Sequence, residues 1–442
     1  MHADLAITGG EILTMTDVGT VPLGTVLIRG NRILAVGPEE ELGPYTATRT
    51  LDAQDRVVLP GFSNCHTHIG SNVLLRGLNE DAKLFEWLAS MWRLKQNFDH
   101  ETLRLASLVG LAEMALAGIT SFNEHFDAYS VQPEISALGD IPLRATLGYG
   151  FADIGLYDAA AAWSYRALDS FGEIVDAHHG RQHGRLRVAL SPHATYSCTE
   201  KLWRRCAEVA AQYELTIHTH LSEGQQEHRF VREHYAQTPT AWLHSLGLLD
   251  ANLTAAHCTT LTDADIELMA ATDVKVAHCP ISNAKLCSGI MPIRKLLAAG
   301  VTVGLATDGP ASHNTLDMFQ EMKFGAITHK NAELDPELLT VSDMLTLATR
   351  EAARAMHLVD AGTLAPGQLA DVIVVVINKP HCAPRYDAQA ALVYSSRADD
   401  VLHTVVDGAV IVEDGILQGI DLPALLRELR ERAGELRTRS GV

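Results

Sequence analysis

The sequence predicts an α/β fold: a (β/α)8 TIM barrel carrying a small β-sandwich domain built from both chain ends. Three observations predict it. From about Pro60 to Leu358, strand-like apolar runs alternate with helical ones, the order of a parallel barrel. Residues 5–60 and the stretch after about 370 read instead as short strands and turns. Histidines and carboxylates gather at the carboxyl ends of the central runs, where such barrels carry their chemistry. The expected units are therefore 1–60 (first half of the sandwich), 61–360 (the barrel) and 361–442 (second half plus a C-terminal helix).

Taken in order, LAITGGEILTM, TVLIRGNRILAVG and TRTLDAQDRVVLP are strands with turns at Gly9-Gly10, Gly30-Asn31 and Asp52 to Asp55. The first barrel strand follows through Pro60-Gly61 and ends at His66 and His68. ITSFNEH (119–125), RATLGYGF (144–151) and LRVALSPHA (186–194) are the next three. LTIHTHLSE (215–223), LTAAHC (253–258), VKVAHCP (274–280) and VTVGLATDG (301–309) complete eight. Their ends carry His66 and His68, Glu124 and His125, His193, His220 and Glu223, His257, His278, and Asp308. Strand texture then returns at 370–378, at ALVYSS (391–396) and at 401–415, and LPALLRELRERAGEL (422–436) is an amphipathic helix.

Composition excludes several classes of partner. The 442 residues hold 35 basic and 54 acidic side chains, a net charge of −19 without basic clusters. Nucleic acid and anionic membrane surfaces are therefore not expected partners. No uncharged apolar run approaches the roughly 18 residues of a membrane span, and the first residues lack a secretory pattern. Seven cysteines without a CxxC pair suit a reduced, cytoplasmic protein.

In HTH, alternation along a strand points His66 and His68 to one face, so both can grip one metal ion. The fifth strand offers His218 or His220, which also share a face. His220 is favoured, being nearer the strand end and followed three residues later by Glu223. Asp308, in ATDG with Gly309 permitting a tight turn, supplies a carboxylate. Three imidazoles and a carboxylate suit Zn2+, or Fe2+ as the alternative. No lysine lies between Lys95 and Lys201, so the middle strands cannot supply a bridging lysine and one ion is expected. Cys258 and Cys279 are taken as packing residues, and His278 as organising its strand end.

PGFSNCHTH, HLSE, AHC, HCPISNAKLCSGIMPI and TDGPASHNTLDMFQEMK together resemble the amidohydrolase superfamily. More narrowly they resemble the branch of methylthioadenosine/S-adenosylhomocysteine deaminases and triazine hydrolases. The resemblance runs over nearly the whole chain. It implies metal ligands at His66, His68, His220 and Asp308, with Glu223, His257 and Asp308 catalytic in hydrolytic deamination of an amino-substituted N-heterocycle. Glu223 would move protons between water, ring nitrogen and leaving ammonia, and His257 would orient the attacking oxygen.

The same resemblance implies substrate contacts at His193, Ser312 and Gln96, the last where the family places a ribose-binding glutamate. Residues 84–96 would cover the pocket, with Trp87 or Trp92 as a wall. Residues 147–163 contain no arginine to clamp a homocysteine carboxylate. A neutral adenosine-type nucleoside is therefore expected: methylthioadenosine, adenosine or a deoxyadenosine. The alternative is a triazine-type hydrolase releasing chloride, amine or alkylamine, which ITSFNEH and DAYSVQPE (127–134) also resemble, or a pterin- or guanine-type deaminase. Homo-oligomers are common in the superfamily, so one is expected here.

Overall fold

The computed structural model describes residues 1–126 and 131–440, with side chains as far as 438. Residues 127–130, in the segment likened to triazine hydrolases, lie outside the described residues. Five strands open the chain: β1 (His2–Leu13), β2 (Thr20–Arg29), β3 (Arg32–Pro38), β4 (Thr46–Asp52) and β5 (Arg56–Pro60). Eight strands then form one parallel sheet. They are β6 (Phe62–Thr67), β7 (Ile119–His125), β8 (Arg144–Phe151), β9 (Leu186–Pro192), β10 (Ile217–Leu221), β11 (Leu253–His257), β12 (Lys275–His278) and β13 (Val303–Leu305). Neighbours in space are neighbours in sequence throughout, the arrangement that right-handed βαβ connections produce. The sheet curls until its first and last strands meet, where the Asp308 N–H donates to the His66 carbonyl at 3.0 Å.

These strands are buried on both faces, which is why they read as nearly continuous apolar runs. The intervening helices carry their own start signals. Asp99 caps the helix His100–Leu116 and Thr199 caps Glu200–Tyr213, each accepting an N–H of the first turn. In Glu200–Tyr213 the buried residues are Leu202, Trp203, Cys206, Val209 and Ala210, one apolar stripe turned to the barrel. No helix among the described residues is long and apolar enough to cross a membrane.

Both chain ends meet in a second, mixed sheet of nine strands. β5 lies parallel to β1 and antiparallel to β14 (Val372–Val376), so the start and the end of the chain run side by side. β15 (Val401–Val406), β16 (Ala409–Glu413) and β17 (Ile416–Leu417) extend it beyond β14. One expected strand is absent: ALVYSS belongs to the helix Ala388–Tyr394. Asp387 caps that helix, accepting the Gln389 N–H, and the following AQAAL run favours helix over strand.

A buried ion-pair network fastens this sheet to the barrel floor. Arg144, at the start of β8, donates from Nε to Asp371 Oδ2 at 2.8 Å and from Nη2 to Asp407 Oδ1 at 3.0 Å. Its side chain and that of Asp371 are each only 3% exposed, so removing one partner strands a buried charge. Arg144→Met is expected to lower stability by about 3–5 kcal/mol in urea unfolding.

Candidate metal centre and active site

The carboxyl ends of β6, β10, β11 and the segment after β13 bring His66, His68, His220, His257 and Asp308 into one buried cluster. Hydrogen bonds fix which nitrogen each imidazole offers. His68 Nδ1 donates to the His125 carbonyl at 2.6 Å, and His220 Nδ1 donates to the His193 carbonyl at 2.8 Å. Each ring thus turns its Nε2 inward, and the two Nε2 atoms face each other at 3.2 Å. Asp308 Oδ1 lies 3.4 Å from His68 Nε2 and 3.4 Å from His66 Nε2, and the latter is buried without a hydrogen-bond partner.

Unshared electron pairs at these separations repel unless a cation lies among them. Metal–nitrogen distances of about 2.0–2.1 Å put tetrahedral neighbours roughly 3.3 Å apart, the spacing observed. Burial is the main cause that pushes the His66 imidazole down to about 3, Asp308 opposing it, and burial also takes His220 well below its ordinary range. Burial works against the Asp308 charge too, but His66, His68 and His257 outweigh it and hold the carboxyl well below the usual range. Imidazoles and a carboxylate brought this close are a donor set that fits a divalent metal ion.

Of the two histidines on β10, His220 joins the cluster, while His218 sits behind it, its Nε2 at 2.8 Å from His66 Nδ1. His278 turns away, its Nε2 at 2.8 Å from His329 Nε2 on the helix Met318–Glu333. The Asp308 carboxylate is tightly oriented. Ser282 and Ser312 donate their hydroxyls to Oδ2 at 2.6 and 2.8 Å, and the Gly309 N–H reaches Oδ1 at 2.7 Å. The expected turn at Gly309 falls one residue earlier: Asp308 itself has φ +60°. Glycine is needed next to it because a Cβ there would stand 2.1 Å from the Asn72 amide nitrogen. His257 (φ +74°) and Ser222 (φ +51°) are also left-handed, strain of about 1–3 kcal/mol each that accumulates at functional sites.

Glu223 and His257 face each other, Oε1 to Nε2, at 3.9 Å. Burial raises the Glu223 carboxyl above its ordinary range, His257 opposing. For His257 burial pulls downward, but Glu223 and Asp308 outweigh it and raise the imidazole. Asn283 Oδ1, 2.8 Å from His257 Nδ1, sets the ring's orientation, and Glu227 holds the Glu223 backbone N–H at 2.8 Å. A cavity of about 30 Å3 opens onto this group, lined also by His193, Tyr196, Trp87, Leu84, Leu88 and Lys95.

Two of the expected substrate contacts lie away from this cavity. Gln96 is exposed and ends the helix Leu84–Lys95, because the inward stripe of that helix is Trp87, Met91 and Lys95, spaced by four. Lys95 therefore lines the cavity and Gln96 does not. Ser312 is buried against Asp308 and does not line the cavity. His193 does line it, and of the two tryptophans Trp87 is the wall, Trp92 packing edge-on against Tyr157 with centroids 4.8 Å apart. Ser282, Asn283 and Lys95 were not singled out from sequence. The first two sit in the HCPISN motif, so their position after a strand-end histidine was the available signal.

A model of the amidohydrolase family matches residues 57–411. The chain is 37% identical over 437 residues to a 5'-deoxyadenosine deaminase of Methanothermobacter thermautotrophicus, spanning 98% of this chain and 99% of that one. It is 34% identical to a 5-methylthioadenosine/S-adenosylhomocysteine deaminase of Pelotomaculum thermopropionicum, spanning 98% of each. Among solved structures it superposes on an adenosine deaminase of Xanthomonas campestris with bound zinc, at a TM-score of 0.92, 29% identity and 99% of both chains.

The contrast between His218 and His278 is testable. His218→Leu is expected to speed metal loss to a chelator by about 10–100-fold, the usual effect of removing a partner that orients a ligand. His278→Leu, whose ring points elsewhere, is expected to leave that rate unchanged.

Proposed function

The chain belongs to the amidohydrolase family, and from that premise we propose that it is a mononuclear zinc-dependent aminohydrolase deaminating an adenosine-type nucleoside. The observation that carries this reading is the meeting of Glu223, His257 and Asp308 with His66, His68 and His220 beside one small cavity. The names of the relatives, a 5'-deoxyadenosine deaminase and a methylthioadenosine/S-adenosylhomocysteine deaminase, support the substrate class.

His66, His68, His220 and Asp308 would hold the ion, Zn2+ before Fe2+ for an imidazole–carboxylate set. Bound there, a divalent metal lowers the pKa of water towards about 7 and so supplies a nucleophile at neutral pH. Glu223 takes the first proton of the attacking water and delivers it to the ring nitrogen beside the attacked carbon. His257, made more basic by its two carboxylate neighbours, donates from Nε2 to the oxygen being added. Collapse moves the second proton, by way of Asp308, to the amino nitrogen, which leaves as ammonia. Leu84, Leu88 and Leu286 line the cavity and keep bulk water from these transfers.

Specificity follows from the lining. Lys95 is the one Lys or Arg side chain lining the cavity among the described residues. An ammonium is a point donor suited to ribose hydroxyls and lacks the bidentate fork that clamps a carboxylate. A nucleoside with an uncharged 5' substituent therefore fits better than S-adenosylhomocysteine. A cavity of about 30 Å3 admits little more than one water, so nucleoside entry requires the helix Leu84–Lys95 to move outward.

Purified, zinc-loaded protein is expected to release ammonia from at least one of 5'-deoxyadenosine, methylthioadenosine and adenosine; no ammonia from any would overturn the proposal. Glu223→Gln is expected to keep its metal and lose turnover by about 100–10,000-fold. Lys95→Met is expected to raise KM for the nucleoside with little change in kcat, the signature of lost ground-state binding.

A further inference from the structure

Behind Asp308 lies a wholly buried acid that the mechanism above does not use. Glu321, on the helix Met318–Glu333, and His313 form a pair with 0% exposure of either side chain, His313 Nε2 to Glu321 Oε1 at 2.9 Å. The tautomer is fixed from the other side. The Thr315 N–H donates to His313 Nδ1 at 3.1 Å, so Nε2 is the proton-bearing nitrogen, and it faces Glu321 Oε1 as an ion-pair contact. The second oxygen of Glu321 accepts the Ile281 N–H at 3.4 Å.

Each of these partners is the chain neighbour of a serine that clamps Asp308: Ile281 of Ser282, and His313 of Ser312. We infer that Glu321 is a positioning residue, one carboxylate tying together the two segments whose hydroxyls aim Asp308 Oδ1 at the metal centre. The inference rests on the reading of Asp308 as a ligand. A carboxylate suits this place. Both partners are N–H donors, and a carboxylate accepts two, whereas an amide accepts with its one oxygen and turns an N–H against the other donor.

The test is metal release to a competing chelator from the zinc-loaded protein, with thermal unfolding of the metal-free form alongside. Glu321→Gln and His313→Leu read the same link from its two sides, so either alone suffices if the other fails to fold. Each is expected to raise metal release by about 10–100-fold with the metal-free unfolding midpoint little changed. His313→Gln, which keeps a donor towards Glu321, is expected to stay near wild type. In a Ser282→Ala/Ser312→Ala background, adding Glu321→Gln is expected to change release far less than in wild type, because its route is already cut. Undiminished metal retention in Glu321→Gln and His313→Leu, or an equal effect in the serine-free background, would overturn the inference. Asp308→Ala separates the two claims: retained metal there would overturn the ligand reading itself, whereas metal lost there but kept in Glu321→Gln overturns the inference alone.

Discussion

Imidazole nitrogens and a carboxylate stand within 3.2–3.4 Å of one another in a nearly buried space. That arrangement is unfavourable without a cation, and much of the surrounding structure exists to impose it. Two backbone carbonyls, of His125 and His193, hold the His68 and His220 rings so that Nε2 faces inward. These carbonyls belong to the ends of β7 and just beyond β9, neighbouring parts of the same barrel. A shift of one strand would therefore turn one of these rings as well as disturb packing. A divalent cation held among these groups would offset their mutual repulsion.

The carboxylate side is held differently. Asp308 takes a left-handed backbone conformation, receives two hydroxyls on one oxygen and leaves the other facing the histidines. The hydroxyls come from separate segments, and the seam of the barrel closes at this same residue through its N–H to His66. Barrel closure and the orientation of the Asp308 carboxylate thus meet at one residue. The Arg144 network at the barrel's other end fixes the end sheet against the strands without reaching the chemistry, which leaves the carboxyl-end loops as the part open to variation.

Much of this was legible in the amino-acid sequence because it depends on local periodicity. Eight apolar runs with polar ends gave eight strands, and HTH alternation gave a shared face for His66 and His68. What local pattern does not reach depends on angles around a helix or on tertiary partners. Gln96 and Lys95 are adjacent, and only the helical phase set by Trp87 and Met91 decides which faces inward. Ser312 lies in a motif that suggested substrate contact, but its hydroxyl is spent on Asp308. ALVYSS has strand-like composition, yet the Asp387 cap starts a helix before it. The Glu321 link joins residues 40 apart in the chain, beyond the reach of any local pattern.

The most direct measurement is anomalous diffraction at the zinc edge from crystals of the zinc-loaded protein. One peak per chain, within bonding distance of His66, His68 and His220 Nε2 and of Asp308 Oδ1, is the predicted result. A second peak bridging to the middle strands, or a single ion out of reach of Asp308, would contradict the account.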